Sequence, residues 1–374
     1  MILLSPYLLA LFKHYTRRCE VLGILPFIRN EQDSPPKFSP SKKRVLVWHI
    51  QLFVIFIYSA FISFRSIETC LSNASTPEER MYSQFVVFFY SVPTLNQALL
   101  IKIKYLIPPF ISKYTAFFKY FEDNFNEKFW IKPKEIKICE QLLKTLHTCW
   151  NFNLIFFPMI CILRPSSPEQ LSSLFSDPHS WKALLVGTIF QAYYTYSYVS
   201  VIMFECCYVG LFLLPMLAVL SELSVRTASF TKVTLKYPAN IFKIYRALRL
   251  LFGEATSSVS LILYIAKIEL IAMAIYEIYG VIRLEGIISC MMGEAVLFSV
   301  IILPILLSKL GELHIRSMYL LEHVSIRGNL DRKIIKSLPL LRFQFGSMYY
   351  ADKQMVPTVI QIVVVNSANL LILY

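Results

Sequence analysis

Charge is scarce in this sequence. Only 16% of its 374 residues are Asp, Glu, Lys or Arg, against about 25% in soluble domains. Glycine is scarcer still, with 10 residues, or about 3% where about 7% is usual. Transporters built from broken, inverted repeats use more glycine, and the chain carries neither an internal repeat nor a low-complexity segment. The eight cysteines show no paired spacing, which excludes a disulfide scaffold. The six histidines are scattered. His314 and His323, nine residues apart, fall on different faces of a helix, and Cys206-Cys207 points two ways, so no metal site and no cofactor are expected. HExxH, GxSxG and P-loop patterns are absent, so the chain does not read as an enzyme. Ile2–Phe12 is apolar but has no basic segment before it and no cleavage site after it. It reads as a short helix held in the cytosol rather than a signal peptide.

Apolar residues are in surplus, at 56%, with 29 Phe and 22 Tyr and a mean hydropathy of +0.54. A soluble core cannot absorb that much apolar surface, so the solvent is lipid. About 20 apolar residues cross a bilayer as a helix. Seven runs qualify: 45–64, 82–101, 145–163, 183–220, 259–282, 286–308 and 355–374. The fourth is too long for one crossing and short for two. Charge arbitrates. If it crosses once, alternate loops hold 31 and 5 Lys and Arg; if twice, 18 and 18. Positive residues concentrate on the cytoplasmic side, so one long helix projecting into the cytosol is the reading. The net charge of +13 then belongs to cytosolic loops facing lipid headgroups, with no call for a nucleic-acid partner. The predicted fold is all-α: a single domain over 1–374 with seven transmembrane helices, N-terminus cytoplasmic and C-terminus extracellular. The sole Asn-x-Ser/Thr sequon puts a glycan on Asn73 in the first outer loop.

Two inner loops repeat apolar residues at helical spacing. Ile136, Cys139, Leu143 and Leu146 form one stripe, and Ile241, Ile244, Leu248 and Leu251 another. Both predict membrane helices continuing into the cytosol. As solvated ends they lie on headgroups; as a packing domain they join subunits.

Several features together resemble the arthropod gustatory receptors of the insect-type seven-helix chemoreceptor superfamily. Val21-Leu22-Gly23-Ile24-Leu25-Pro26-Phe27 is similar to the family's Leu-Gly-x-x-Pro-Phe segment. Ile244-Tyr245-Arg246-Ala247-Leu248-Arg249-Leu250-Leu251-Phe252-Gly253 is similar to its basic helix ahead of the fifth span. The inverted seven-helix order and the terminal last helix agree. The family's Thr-Tyr, five apolar residues and Gln-Phe are replaced here by Asn366-Ser367-Ala368-Asn369-Leu370-Leu371-Ile372-Leu373-Tyr374, with a register starting at Ser367 also open. The resemblance implies a homo- or heterotetrameric, ligand-gated, non-selective cation channel in the plasma membrane of sensory neurons. Its pore is lined by the last helix, and a small-molecule tastant binds in the outer half of the bundle.

That last run bears no charge, so a gate within it is a hydrophobic constriction. Leu370, Leu371 and Leu373 are candidates for it. Gln361, Asn366 and Asn369 offer amide oxygens to a cation, or hydrogen bonds between helices. Charges inside a membrane are costly and often functional. Depth along the helices makes Lys267 and Glu205 a candidate structural pair. Glu277 and Glu294 fall in the outer half, as do Phe156, Phe157, Tyr193, Tyr194, Tyr196 and Tyr276. As a group these eight are the expected ligand pocket; singly, the aromatics read as bundle packing. The alternative function is a polytopic carrier using Lys267, Glu277 and Glu294. A conventional G-protein-coupled receptor needs the opposite orientation and lacks its Asn-Pro-x-x-Tyr here, since Ser367 follows Asn366.

Overall fold

A computed structural model describes residues 5–30, 37–40, 42–73, 75–127, 134–167, 169–224, 231–324, 329–346 and 349–373. Expectations resting on residues 1–4, Ala74, the Cys139 side chain and Tyr374 fall outside it. Ten α-helices are described: α1 (Pro6–Val21), α2 (Lys42–Leu71), α3 (Pro77–Ile103), α4 (Ile107–Phe125), α5 (Lys134–Leu163), α6 (Trp181–Leu223), α7 (Pro238–Arg283), α8 (Ile287–His323), α9 (Asn329–Ser337) and α10 (Met355–Leu373). Two antiparallel ribbons accompany them. β1 (Phe27–Asn30) pairs with β2 (Lys37–Pro40), and β3 (Gln344–Phe345) with β4 (Tyr349–Tyr350).

Among the described residues, seven helices are long and apolar enough to cross a membrane: α2, α3, α5, α6, α7, α8 and α10. The fourth apolar run is one helix of 43 residues, about 65 Å long. The predicted stripes at 136–146 and 241–251 are the first turns of α5 and α7, continuous with their spans. α1, α4 and α9 gather at one end of the bundle, called basal here. The loops at 72–76, 164–180 and 284–286 mark the distal end.

α6 explains the layering. Its apolar residues face every direction, which places a helix in the interior. Its basal half is almost wholly buried, from Val199 to Leu223. α5 and α8 pack against it and α3 closes one side. α1 lies along it too, with Phe12 stacked on Phe204 at 5.4 Å and Arg18 over the Tyr196 ring at 4.7 Å. By contrast α2 keeps Leu46, Phe53, Phe56 and Phe64 exposed, as a lipid-facing helix does.

The basal end has its own core. α4, between the second and third spans, was not expected from the sequence. Its apolar stripe of Phe110, Tyr114, Phe118, Phe121 and Phe125 is buried. Tyr114 donates to the Phe212 carbonyl of α6, and Lys113 pairs with Glu254 of α7 at 2.6 Å. At Gly23 φ is +71° and an added Cβ would meet Val47 Cγ1 at 2.5 Å. The turn entering β1 therefore needs glycine.

α10 stands apart. Val359, Val363 and Ser367, one every four residues, are its buried side chains, packed toward α7 and α8. The rest of its surface is exposed or half-buried.

Candidate functional site

α3, α5, α6, α7 and α8 leave a cavity of about 270 Å³ between them. Each helix presents a stripe at three- and four-residue steps, the spacing of one helix face. α7 gives Ile262, Ala266, Glu269, Met273 and Glu277; α6 gives Tyr198, Ile202, Glu205 and Val209; α3 gives Tyr82, Phe85, Phe89, Val92 and Asn96. The lining runs from Tyr82 and Ile288 at the distal end to Ile138 and Lys309 at the basal end.

The middle is aromatic. Phe89 stacks on Phe157 with centroids 5.1 Å apart and meets Tyr198 edge-on at 5.0 Å. Trp150 meets Tyr198 edge-on at 5.5 Å. Edge-on and offset stacked pairs are the preferred ring geometries, so these walls are packed.

Carboxylates are the polar feature. Glu205, Glu269, Glu277 and Glu294 all line the cavity. Glu205, Glu269 and Glu277 are 7%, 6% and 0% exposed, and each keeps one buried oxygen without a hydrogen-bond partner. The other Glu277 oxygen accepts from the Ser299 hydroxyl at 3.0 Å. Asn96 sits beside Glu269 and Cys149 beside Glu294. Glu169, in the distal loop, closes that end. Its carboxylate accepts from the Tyr82 hydroxyl at 3.0 Å, and burial raises it above the usual carboxylate range. Lys309, at the basal end, is held by Glu312 at 2.7 Å.

Three of the eight expected ligand residues line this cavity: Phe157, Glu277 and Glu294. Five sit elsewhere. Tyr194 is buried between Tyr58 and Tyr90, its hydroxyl donating to the Tyr90 carbonyl at 2.8 Å. Tyr193 donates to Gln51 of α2. Tyr196 lies under Arg18. Tyr276 faces Phe85 and Phe88, and Phe156 packs on Phe152. The expected Glu205–Lys267 pair is not formed. Lys267 donates to the Tyr349 hydroxyl of β4, with its ammonium 4.4 Å from the Tyr349 ring centre and 5.3 Å from that of Phe345. Glu205 faces the cavity near Glu269. Residue spacing gave the two groups matching depths, but α7 turns Lys267 to the β3–β4 ribbon while α6 turns Glu205 to the cavity.

The sequence reading missed Tyr82, Phe89, Asn96, Trp150 and Tyr198. The three-four periodicity of Tyr82, Phe85, Phe89 and Asn96 was a usable signal for α3. In α6 no periodicity separates one face from another.

Among the expected pore residues, Gln361 and Asn369 are exposed, on or beside the face opposite Val359, Val363 and Ser367. Asn366 turns its amide back to the Ile362 carbonyl at 2.7 Å. Leu370 and Leu371 are half-buried, the latter's carbonyl accepting from Arg283 at 3.1 Å. Leu373 is exposed. Asn73, the expected glycan acceptor, is exposed in the distal 72–76 loop.

No protein-family model matches the sequence, and no curated protein sequence matches it significantly. The fold does have solved counterparts. It is similar to the structure of the insect olfactory receptor OR5 from Machilis hrabei in complex with eugenol. The TM-score is 0.64 at 12% identity, over 98% of this chain and 99% of that one. A second structure of that receptor gives a TM-score of 0.63 at 10% identity, over 97% of each chain. The chain thus shares the seven-helix fold of that receptor's structures.

Proposed function

We propose that this chain is one subunit of a tetrameric, ligand-gated cation channel of the gustatory type, opened by a small molecule bound in the α3–α5–α6–α7–α8 cavity. The cavity carries the reading. It is concave, lined mostly by apolar and aromatic side chains and supplied with few polar groups, which is what a small-ligand site needs. It sits in a fold shared with a receptor whose structure contains eugenol. α10 supplies the second half. One seam of it packs on its own chain, and Gln361, Val365, Asn369 and Ile372 are left exposed. Four such faces around an axis would make a pore with an apolar constriction and amide oxygens. Lys267 links the two parts. It lies two residues from Glu269 on α7 and is bonded to Tyr349, six residues before α10 begins. A shift of α7 on ligand binding therefore reaches the start of α10.

The carrier reading loses its relay. It needs Lys267 beside Glu277 and Glu294, whereas the ammonium is held at Tyr349.

Whole-cell recording from cultured cells expressing the chain, alone and with other receptor subunits, tests the proposal. Tastants should evoke cation currents, and a C-terminal tag should stain without permeabilisation. Asn73→Gln should remove a glycan visible as a gel shift. Saturable uptake without channel-sized currents, or a cytoplasmic C-terminus, would overturn it.

A further inference from the structure

We infer that the cavity is built for an organic cation: a small amine with an apolar or aromatic body, whose ammonium seats between Glu205 and Glu269. This rests on the cavity's being the ligand site and names the chemistry of what it takes.

Three observations converge. First, Glu205 and Glu269 bring carboxyl groups from two helices to one stretch of the cavity, while Glu277 lies eight residues, about 12 Å, further along α7. Glu269 lies near Glu205, and the Tyr198 side chain stands within electrostatic reach of Glu205, Glu269 and Glu277. Second, each of the three keeps a buried oxygen with no partner. A buried acceptor left unsatisfied is costly, and an acidic side chain at membrane depth is more so. Such groups are normally paired with a cation or with each other. Third, the protein does not supply that cation. Among the described residues, the basic side chain lining the cavity is Lys309, at its basal end and held by Glu312. Lys267, on the same helix as Glu269 and Glu277, is held by Tyr349.

An ammonium placed there offers N–H donors to the unpaired Glu205 and Glu269 oxygens. Charge-assisted hydrogen bonds of this kind are about twice as strong as neutral ones. Its body meets Phe89, Phe157 and Trp150, and the Tyr198 and Trp150 rings offer faces that attract a cation. A neutral ligand of the same shape fills the aromatic part but leaves the carboxyl oxygens unanswered. A site built to hydrogen-bond a group discriminates against an analogue lacking it far more than a purely apolar pocket would.

The test is a pair of near-isosteres. 2-Phenylethylamine is an ammonium at pH 7.5, and 2-phenylethanol replaces that group by a hydroxyl. Each is titrated against the purified chain in lipid nanodiscs, with affinity read from the rise in melting temperature. The amine should bind at least about tenfold more tightly than the alcohol. Glu269→Gln and Glu205→Gln, which keep the shape, should each cut amine affinity by about tenfold and leave the alcohol unchanged. Equal affinity for the two probes would overturn the inference. So would an amine preference that survives both substitutions, because the amine would then sit elsewhere. Should a Gln variant fail to fold, the comparison on the unmodified chain still decides. The readout needs no current. Amine binding without currents would sink the channel proposal and leave this inference standing. Currents evoked by the alcohol and not by the amine would do the reverse.

Discussion

Tyr349→Phe deletes one oxygen, the acceptor of the Lys267 ammonium. A hydrogen bond to a charged group contributes about 1.5–3 kcal/mol. Lys267 and Tyr349 are both half-buried, so the lower half of that range applies. The phenyl ring that remains would still face the ammonium and retain about 0.5–1 kcal/mol of cation–π attraction. The expected loss is therefore about 1.5–2 kcal/mol, the ring contact being common to both chains. Lys267→Met alone should cost a similar amount. In the double variant the lost bond is counted once, giving a coupling energy of about 1 kcal/mol or more. The same cycle with Glu205 discriminates the contact from the pair expected on spacing. Glu205→Gln and Lys267→Met should be additive within about 0.5 kcal/mol, as uncoupled sites are. Unfolding free energies of the four chains in mixed micelles, titrated with SDS, supply the numbers. Strong Lys267–Glu205 coupling with additive Lys267 and Tyr349 effects would refute the placement of Lys267 and the mechanical link it provides to α10.

Three further outcomes follow from the packing. Gly311 on α8 touches the turn ahead of α10, where an added Cβ would lie 2.7 Å from Lys353 N and 3.0 Å from the Asp352 carbonyl carbon. Gly311→Ala should cost about 1–3 kcal/mol as overpacking, read as a lower melting temperature; an unchanged one would mean that the turn yields freely. Phe118 is fully buried, 4.5 Å from Tyr114, and Phe118→Ala should cost about 3–5 kcal/mol, against little loss for the exposed Phe53→Ala on the lipid face. Glu169 is raised above its unfolded range by burial, so the folded state holds its proton more firmly. Its contribution is complete below the unfolded carboxylate range and is lost as pH rises through the folded value. Stability should fall over that window, and Glu169→Gln should flatten this part of the profile; an identical profile in the variant would place the titration elsewhere.

The distribution of apolar residues and of Lys and Arg was enough to determine the seven spans and the unbroken α6. A helix must satisfy its backbone within itself in lipid, and length and loop charge are one-dimensional quantities. That Glu277 and Glu294 face an interior cavity was legible for a related reason, since a carboxylate in an apolar run has few other places to go. Which aromatic faces the cavity was not legible. α6 is apolar on all sides, so Tyr193, Tyr194, Tyr196 and Tyr198 look alike in sequence. Only the packing of α2, α3 and α1 around it sends Tyr193 to Gln51, Tyr194 to the Tyr90 carbonyl and Tyr196 to Arg18, leaving Tyr198 for the cavity. The fate of Lys267 was hidden likewise. Its partner lies 82 residues away, in a two-residue strand with no periodicity to announce it. Sequence sets how deep a residue lies along its helix; the rotation of that helix against its neighbours, a property of the assembled bundle, decides what the residue meets.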